Sequence, residues 1–409
     1  MRRLTGFFRS SSIRTAVAFA FGGVGFALAN LLLARFMTPV DYGLLTLLLA
    51  LIQLGLGVGP AGVELVINRH LLPPSYRLAV RVAITGSLAA LGVCAVAQFV
   101  YEVPAGVLPW LFLALAASAM SRVGSALFQS DQRFGPALGL TQVHNYLLLL
   151  AVPVAVVLDA VNATFFLIVV AVGYVATSLI GWAAARQVIS STRTPVSERT
   201  LLREGLGGLG IGVAVLVLAQ AERFAIPVLL SLEEMATFGV LAAVVAAPFR
   251  MMQMAVGFTM LPRLRKAVSR AEAGRLLRAE FTIAVVVCIL GTVIVLGLGP
   301  WLIRLFVGDK YDITLTLFIA AILVGYLKIA QALAVATVNA LGNVVALNVM
   351  NVCCWISLAV AALGAWALSG YGLVGLVYGV GLGWLWQAIV AAWLARQALS
   401  RHFDSAGPA

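Results

Sequence analysis

The sequence predicts an all-α protein that crosses a membrane many times, and three observations predict it. Of its 409 residues, 62% are hydrophobic and only 10% charged, where a soluble domain carries roughly 25% charged residues; mean hydropathy is +1.06. Apolar runs of 20 or more residues recur from end to end, and a helix crosses a ~30 Å hydrocarbon core in about 20 residues. Basic residues gather in alternate gaps between those runs, as loop charge does in polytopic proteins.

Breaking the chain at charges, Pro and Gly gives spans near 13–37, 42–68, 77–101, 104–128, 135–158 and 162–187, then 205–231, 236–262, 279–307, 313–341, 343–369 and 371–396. Twelve helices in two sets of six follow. The expected organisation is an N-terminal lobe (1–190), a cytoplasmic linker (191–204) after the polar, Pro-containing stretch that begins at Ser190, a C-terminal lobe (205–398) and a cytoplasmic tail (399–409). Arg2, Arg3, Arg9 and Arg14 precede an apolar run through Ala27-Leu28-Ala29 that imitates a signal peptide. That run continues to Leu33 and meets another almost at once, so an uncleaved first helix is the expectation. Cys94, Cys288, Cys353 and Cys354 all fall in apolar runs without C-x-x-C spacing and are expected as core residues, not metal ligands.

With the N-terminus placed inside, 21 of the 27 Lys and Arg residues fall on cytoplasmic segments, Arg122 and Arg133 among them. The outer loops hold Arg35, Arg304 and Lys310, and the membrane interior Arg223, Arg250 and Lys328. Both termini are therefore expected in the cytoplasm. The formal net charge of +12 lies along one membrane face, which argues against nucleic acid and for anionic lipid headgroups as its partner.

The two halves echo each other. Thr38-Pro-Val-Asp-Tyr-Gly43 opens the second helix of the first half, and Glu233-Glu-Met-Ala-Thr-Phe-Gly239 the second helix of the second; both place acidic residues at a helix start. Gln129 to Arg133 corresponds in position to Asn339 to Asn343. Six helices repeated in one orientation imply two lobes around a central cavity, which is transporter architecture.

Several motifs carry a family resemblance. Leu33-Ala-Arg-Phe-Met-Thr-Pro-Val-Asp-Tyr-Gly43, Ala221-Glu-Arg-Phe-Ala225, Met260-Leu-Pro-Arg-Leu-Arg265, Leu305-Phe-Val-Gly-Asp-Lys-Tyr311, Asn339-Ala-Leu-Gly342 and Gly370-Tyr-Gly-Leu-Val-Gly375 follow in the expected order. Together they resemble the polysaccharide flippases of the multidrug/oligosaccharidyl-lipid/polysaccharide exporter superfamily, although that family more usually has Asp where Glu222 stands. The resemblance covers nearly the whole chain. It implies transfer of an undecaprenyl-pyrophosphate-linked oligosaccharide repeat unit to the outer leaflet of a bacterial inner membrane, by alternating access, for polysaccharide export. It also implies a monomer without cofactor, with glycosyltransferases and a polysaccharide polymerase as possible partners. Lipid II flippases of the superfamily usually have fourteen helices.

An ionisable residue deep in a membrane helix costs about 2.5–3.5 kcal/mol on insertion scales, so each is a functional candidate. Arg250 and Lys328, near the middle of spans 8 and 10, suit a pyrophosphate: one offers a planar fork, the other a mobile point charge. Arg223 is expected to join this cationic set. Glu222, its neighbour but about 100° away around the helix, balances charge or takes up a proton, as His144 could. Gln53, Gln142 and Asn145 are possible sugar contacts, the alternative being hydrogen bonds between helices. Glu64, near the end of span 2, is expected to snorkel to water. The first half thus reads as polar and the second as charged at mid-membrane. The short outer connections and the lack of a phosphate loop or H-E-x-x-H motif argue against an enzyme. A multidrug antiporter of the same superfamily and a transport-inactive scaffold for glycan-assembly enzymes are the alternatives.

Overall fold

The computed structural model describes residues 11–189 and 197–404; the side chains of 11–22 and of scattered positions in three later helices, Arg250 and Asp404 among them, lie outside the described residues. In order run α1 (Ser11–Phe36), α2 (Pro39–Val58), α3 (Val63–His70), α4 (Tyr76–Tyr101), α5 (Leu108–Ser130), α6 (Phe134–Val157) and α7 (Ala163–Val188). There follow α8 (Glu198–Ala219), α9 (Ala221–Leu229), α10 (Leu232–Lys266), α11 (Arg270–Val307), α12 (Leu315–Leu341), α13 (Val344–Leu368), a 3-10 turn at Ser369–Tyr371 and α14 (Gly372–Asp404). Each expected span has its helix, and spans 2 and 7 are broken into α2/α3 and α8/α9. Among the described residues eight helical segments are long and apolar enough to cross a bilayer, or nine with the bent α8/α9 pair, counting the α13–α14 run once. The chain is a multi-pass membrane protein.

Helix starts follow local chemistry. Thr38 Oγ1 accepts the Asp41 amide ahead of Pro39, Asn162 Oδ1 the Phe165 amide and Ser269 Oγ the Glu272 amide. Each satisfies a donor that the first turn leaves without an intrahelical acceptor. Asp41 and the pair Glu233 and Glu234 do fall in the first turns of α2 and α10. The break after α2 is made by Gly59-Pro60-Ala61-Gly62. Pro60 lacks an amide for the helical ladder, and Ala61 and Gly62 take φ of 52° and 75°, a left-handed turn that glycine adopts without strain. A Cβ on Gly62 would overlap the carbonyl of Gly205 in α8, so this glycine also lets two backbones touch.

The chain divides into two compact units, residues 1–236 and 237–409. In the first, α5 lies against α2, α3, α4, α6 and α7, α1 packs on α6, and α8 and α9 lie on α2, α3 and α4. Segment 205–231, which the sequence reading assigns to the start of the second lobe, thus packs within the first unit. Val66, Val82, Val123, Leu127, Phe128 and Trp182 meet in an apolar cluster around α5. Side chains of this interior also bond to neighbouring backbones. Ser121 Oγ donates to the Leu140 carbonyl (3.1 Å), Ser125 Oγ to that of Ala137 (2.9 Å) and Trp182 Nε1 to that of Met120 (3.0 Å). Each such bond between helices contributes about 0.6–2 kcal/mol.

In the second unit α14 is the central helix, packed along α12 and α13 and more sparsely on α11. Close approach of α13 and α14 depends on small residues: a Cβ on Gly364 would stand 2.5 Å from the Gly379 carbonyl oxygen, and one on Gly383 2.5 Å from that of Ser357. Backbone contact of this kind is how membrane helices gain dispersion energy where lipid supplies no hydrophobic drive.

Candidate functional site

The sequence-predicted site residues fall into separate clusters, two in the first unit and one in the second. The first lies at the break of span 7, where the two segments meet at 53°. Gln220, buried between them, accepts a hydrogen bond at its Oε1 from Arg223 Nη1 at 2.5 Å. Glu222 is 3% exposed in the first turn of α9, where the positive end of the helix dipole stabilises a carboxylate. Tyr101, at the end of α4, donates its hydroxyl to the Phe224 carbonyl at 3.1 Å. The break is therefore held by side chains on both sides, and it places an acid and a base inside an otherwise apolar span.

The second cluster joins α3, α5, α6 and α7. His144 is buried and stacked on Tyr174, with ring centroids 4.8 Å apart and His144 Nε2 3.4 Å from the Tyr174 hydroxyl. Asn145 Nδ2 donates to Gln142 Oε1 at 2.8 Å, so two of the expected sugar contacts spend polar capacity on each other. Gln53 is half-buried on α2. Arg122 of α5 interacts electrostatically with both Glu64 of α3 and Tyr174. Two expectations change here. Arg122 is not on a loop: it lies half-buried inside α5, about two turns before its end. Glu64 does not reach outward, since its Oε2 is shut off from solvent without a hydrogen-bond partner among the described residues. The physical cause is the Gly59–Gly62 break, which starts a new helix and returns Glu64 to the interior beside α5. Consequently the first half is charged as well as polar.

In the second unit Lys328 Nζ of α12 lies 5.1 Å from the centre of the Trp384 ring of α14. Trp384 is 1% exposed, and a cation on a desolvated indole face gains about 2 kcal/mol. Gln253 Nε2 of α10 donates to the Lys328 carbonyl at 3.4 Å. Gln331, one turn beyond Lys328, and Gln387, one turn beyond Trp384, are both buried, and Gln387 Nε2 meets Cys354 Sγ at 3.0 Å. Asn351 Oδ1 of α13 is buried without a partner among the described residues, as are Gln387 Oε1 and Trp384 Nε1. The Arg250 side chain is outside the described residues; its backbone belongs to α10.

Sequence reasoning missed Arg122, Tyr174, Gln331, Asn351, Trp384 and Gln387. Its signal for the last four was present, because an amide or indole embedded in an apolar helix needs a polar neighbour. Among the described residues no group of three His, Cys, Asp or Glu side chains could hold a metal ion. The arrangement offers cationic and amide donors in low dielectric, suited to binding polar groups.

No protein-family model matches the chain. No curated protein matches it in sequence. Solved structures do match in fold. A structure described as the inward-facing conformation of a multidrug resistance MATE family transporter of the MOP superfamily superposes with a TM-score of 0.64 at 14% identity, over 98% of each chain. The Vibrio cholerae MATE transporter VcmN, in its bent form, gives 0.62 at 16%, over 96% of each chain. The lipid II flippase MurJ, in its inward closed conformation, gives 0.63 at 10%, covering 96% of this chain and 90% of that one. The fold is that of these transporters and flippases, none of them an enzyme by name.

Proposed function

We propose that the chain is a flippase that moves an undecaprenyl-pyrophosphate-linked oligosaccharide repeat unit from the cytoplasmic to the outer leaflet of a bacterial inner membrane, with both termini cytoplasmic. The observation that supports it best is Lys328, a cation kept on the buried face of Trp384 near the middle of α12. Its Nζ has three donors, and a pyrophosphate leaving water would offer charge-assisted acceptors in return. Arg223 belongs to the same cationic set in this reading, and Arg250 joins it by its position in the sequence of α10. Glu222 and His144 serve as charge balance or as proton carriers in the cycle. Fold likeness to a lipid II flippase adds support, since that protein's cargo is by name a lipid. Glycosyltransferases and a polymerase are the partners such a cycle requires on either side.

A second reading, a multidrug antiporter, is favoured by one specific observation: Glu64 and Glu222 place two carboxylates in the interior, where a cationic drug would seek them. One experiment separates the two. In a strain lacking the gene, plasmid-borne wild type should restore surface glycan, and Lys328→Ala and Arg250→Ala should each lower export roughly ten- to a hundredfold, the cost of about 1.5–3 kcal/mol for a hydrogen bond to a charged group. Glu64→Gln should leave export within twofold. Normal export by both cation variants, with drug sensitivity following Glu64→Gln, would establish the antiporter reading.

A further inference from the structure

Three polar atoms buried in the second unit have no protein hydrogen-bond partner among the described residues: Asn351 Oδ1, Trp384 Nε1 and Gln387 Oε1. Gln387 is 0% exposed and Trp384 1%. A buried amide or indole without a partner has given up its hydration for nothing, so each of these atoms calls for one.

Their placement is ordered. Helices α13 and α14 run antiparallel along a seam in which Gly364 faces Gly379, Ser357 faces Gly383, and Cys354 Sγ lies 3.0 Å from Gln387 Nε2. Asn351 is one turn before Cys354 on the same face of α13, and Trp384 one turn before Gln387 on the same face of α14. Because the helices run oppositely, those two steps point in opposite directions along the seam. Trp384, Gln387 and Asn351 thus succeed one another over about 9 Å of helical rise.

The chemistry of the three atoms selects the ligand. Two are carbonyl oxygens that accept, and the third belongs to an N–H that donates. A cation would meet the indole N–H and the ammonium of Lys328, whose Nζ lies 5.1 Å from the centre of the Trp384 ring. An anion would meet the two amide oxygens, and a hydrocarbon would satisfy none of the three. Water donates twice and also accepts, and a buried water makes about three hydrogen bonds. Successive waters stand about 2.8 Å apart, so roughly two or three cover the seam. Exchanging the two ends of the Gln387 amide leaves the choice unchanged: one end meets Cys354, the other still meets no protein partner among the described residues, and water serves an N–H as well as a C=O.

We propose that the seam between α13 and α14 binds a file of ordered water, held by Trp384, Gln387 and Asn351 beside the ring that carries Lys328. The file lies within the second unit and does not depend on the cargo suggested above. A second tryptophan supplies the comparison that tests it. Trp182 of the first unit is 6% exposed, but its Nε1 already donates to the Met120 carbonyl at 3.0 Å. Exposure alone ranks Trp182 as the more accessible ring. In pulsed X-ray radiolysis of the full-length protein in detergent, bound water yields hydroxyl radicals where it sits, and mass spectrometry reads the oxidised side chains. Trp384 should be oxidised about tenfold faster than Trp182, because the water that meets its N–H is inside the protein. Gln387→Leu, which removes the central acceptor, should lower Trp384 oxidation severalfold and leave that of Trp182 unchanged; Asn351→Leu should lower it less. Wild-type Trp384 oxidised no faster than Trp182, a result that needs no variant, overturns the proposal, and so does wild-type Trp384 oxidation in both Leu variants.

Discussion

Two helices of the chain use apolar residues in opposite ways. In α5 of the first unit, 72% of the apolar window is buried; in α11 of the second, 17% is. Yet the apolar stretch of α5 is the more polar of the two, since the helix carries Ser118, Ser121, Arg122, Ser125 and Gln129 through its length while the charges of α11 sit at its ends. From Phe281 to Ile303, α11 has only Thr282 and Thr292 as polar residues, and Thr292 bonds to the Cys288 carbonyl of its own helix and to the Tyr326 hydroxyl of α12. Phe281, Ile289, Val293, Ile294 and Trp301 of α11 are exposed. In a bilayer the lipid-facing surface carries the large apolar side chains, and the protein interior is where small and hydroxylated ones allow helices to approach and bond. Hydrophobicity therefore marks the perimeter of this protein better than its centre.

The contrast can be broken by substitution. The largest effect is expected at Gly379, where a side chain would run into the Gly364 backbone: Gly379→Leu should abolish recovery of monodisperse protein on size-exclusion chromatography. Gly297→Leu in α11, which has nothing within 4 Å of a Cβ, should leave it unchanged. Next is Leu127→Ala in α5, where Leu127 is 0% exposed. A buried Leu→Ala change costs about 2–5 kcal/mol, so a clear fall in melting temperature in detergent is expected, while Ile294→Ala in α11 should stay within about 0.5 kcal/mol. The smallest is Ser125→Ala, which removes the bond to the Ala137 carbonyl and should cost roughly 0.6–2 kcal/mol by the same measurement. A reversed order between Leu127 and Ile294 would mean that α11, not α5, is the better packed helix.

The spans are legible in the sequence because a membrane helix announces itself by length and by the gaps that hold charge. Depth along the axis is legible for the same reason, which is how Lys328, Arg223 and Glu222 stand out as interior. Rotation about the axis is not. Arg122, about two turns before the end of α5, passes as a loop-side cation until the fold brings its charge within electrostatic range of Glu64 and Tyr174. Glu64 misleads because the run from residue 42 to 68 is apolar enough to read as one helix, and only the left-handed turn at Ala61 and Gly62 divides it. Gln142 and Asn145 look available for a ligand in sequence and prove to be bonded to each other.

The broken span 7 also bears on how the chain is made. Glu222 and Arg223 each oppose release from the translocon into lipid by about 2.5–3.5 kcal/mol, so α8 and α9 make a poor autonomous insertion signal. Their contacts are with α2, α3 and α4, all synthesised earlier and already in the bilayer when Leu230 emerges. Hydrogen bonds from Tyr101 to the Phe224 carbonyl and from His70 to Glu204, the latter at 2.9 Å, tie the late segment to the early ones. The partners that the seventh span needs for its polar groups thus all precede it in the chain and belong to the same compact unit, residues 1–236.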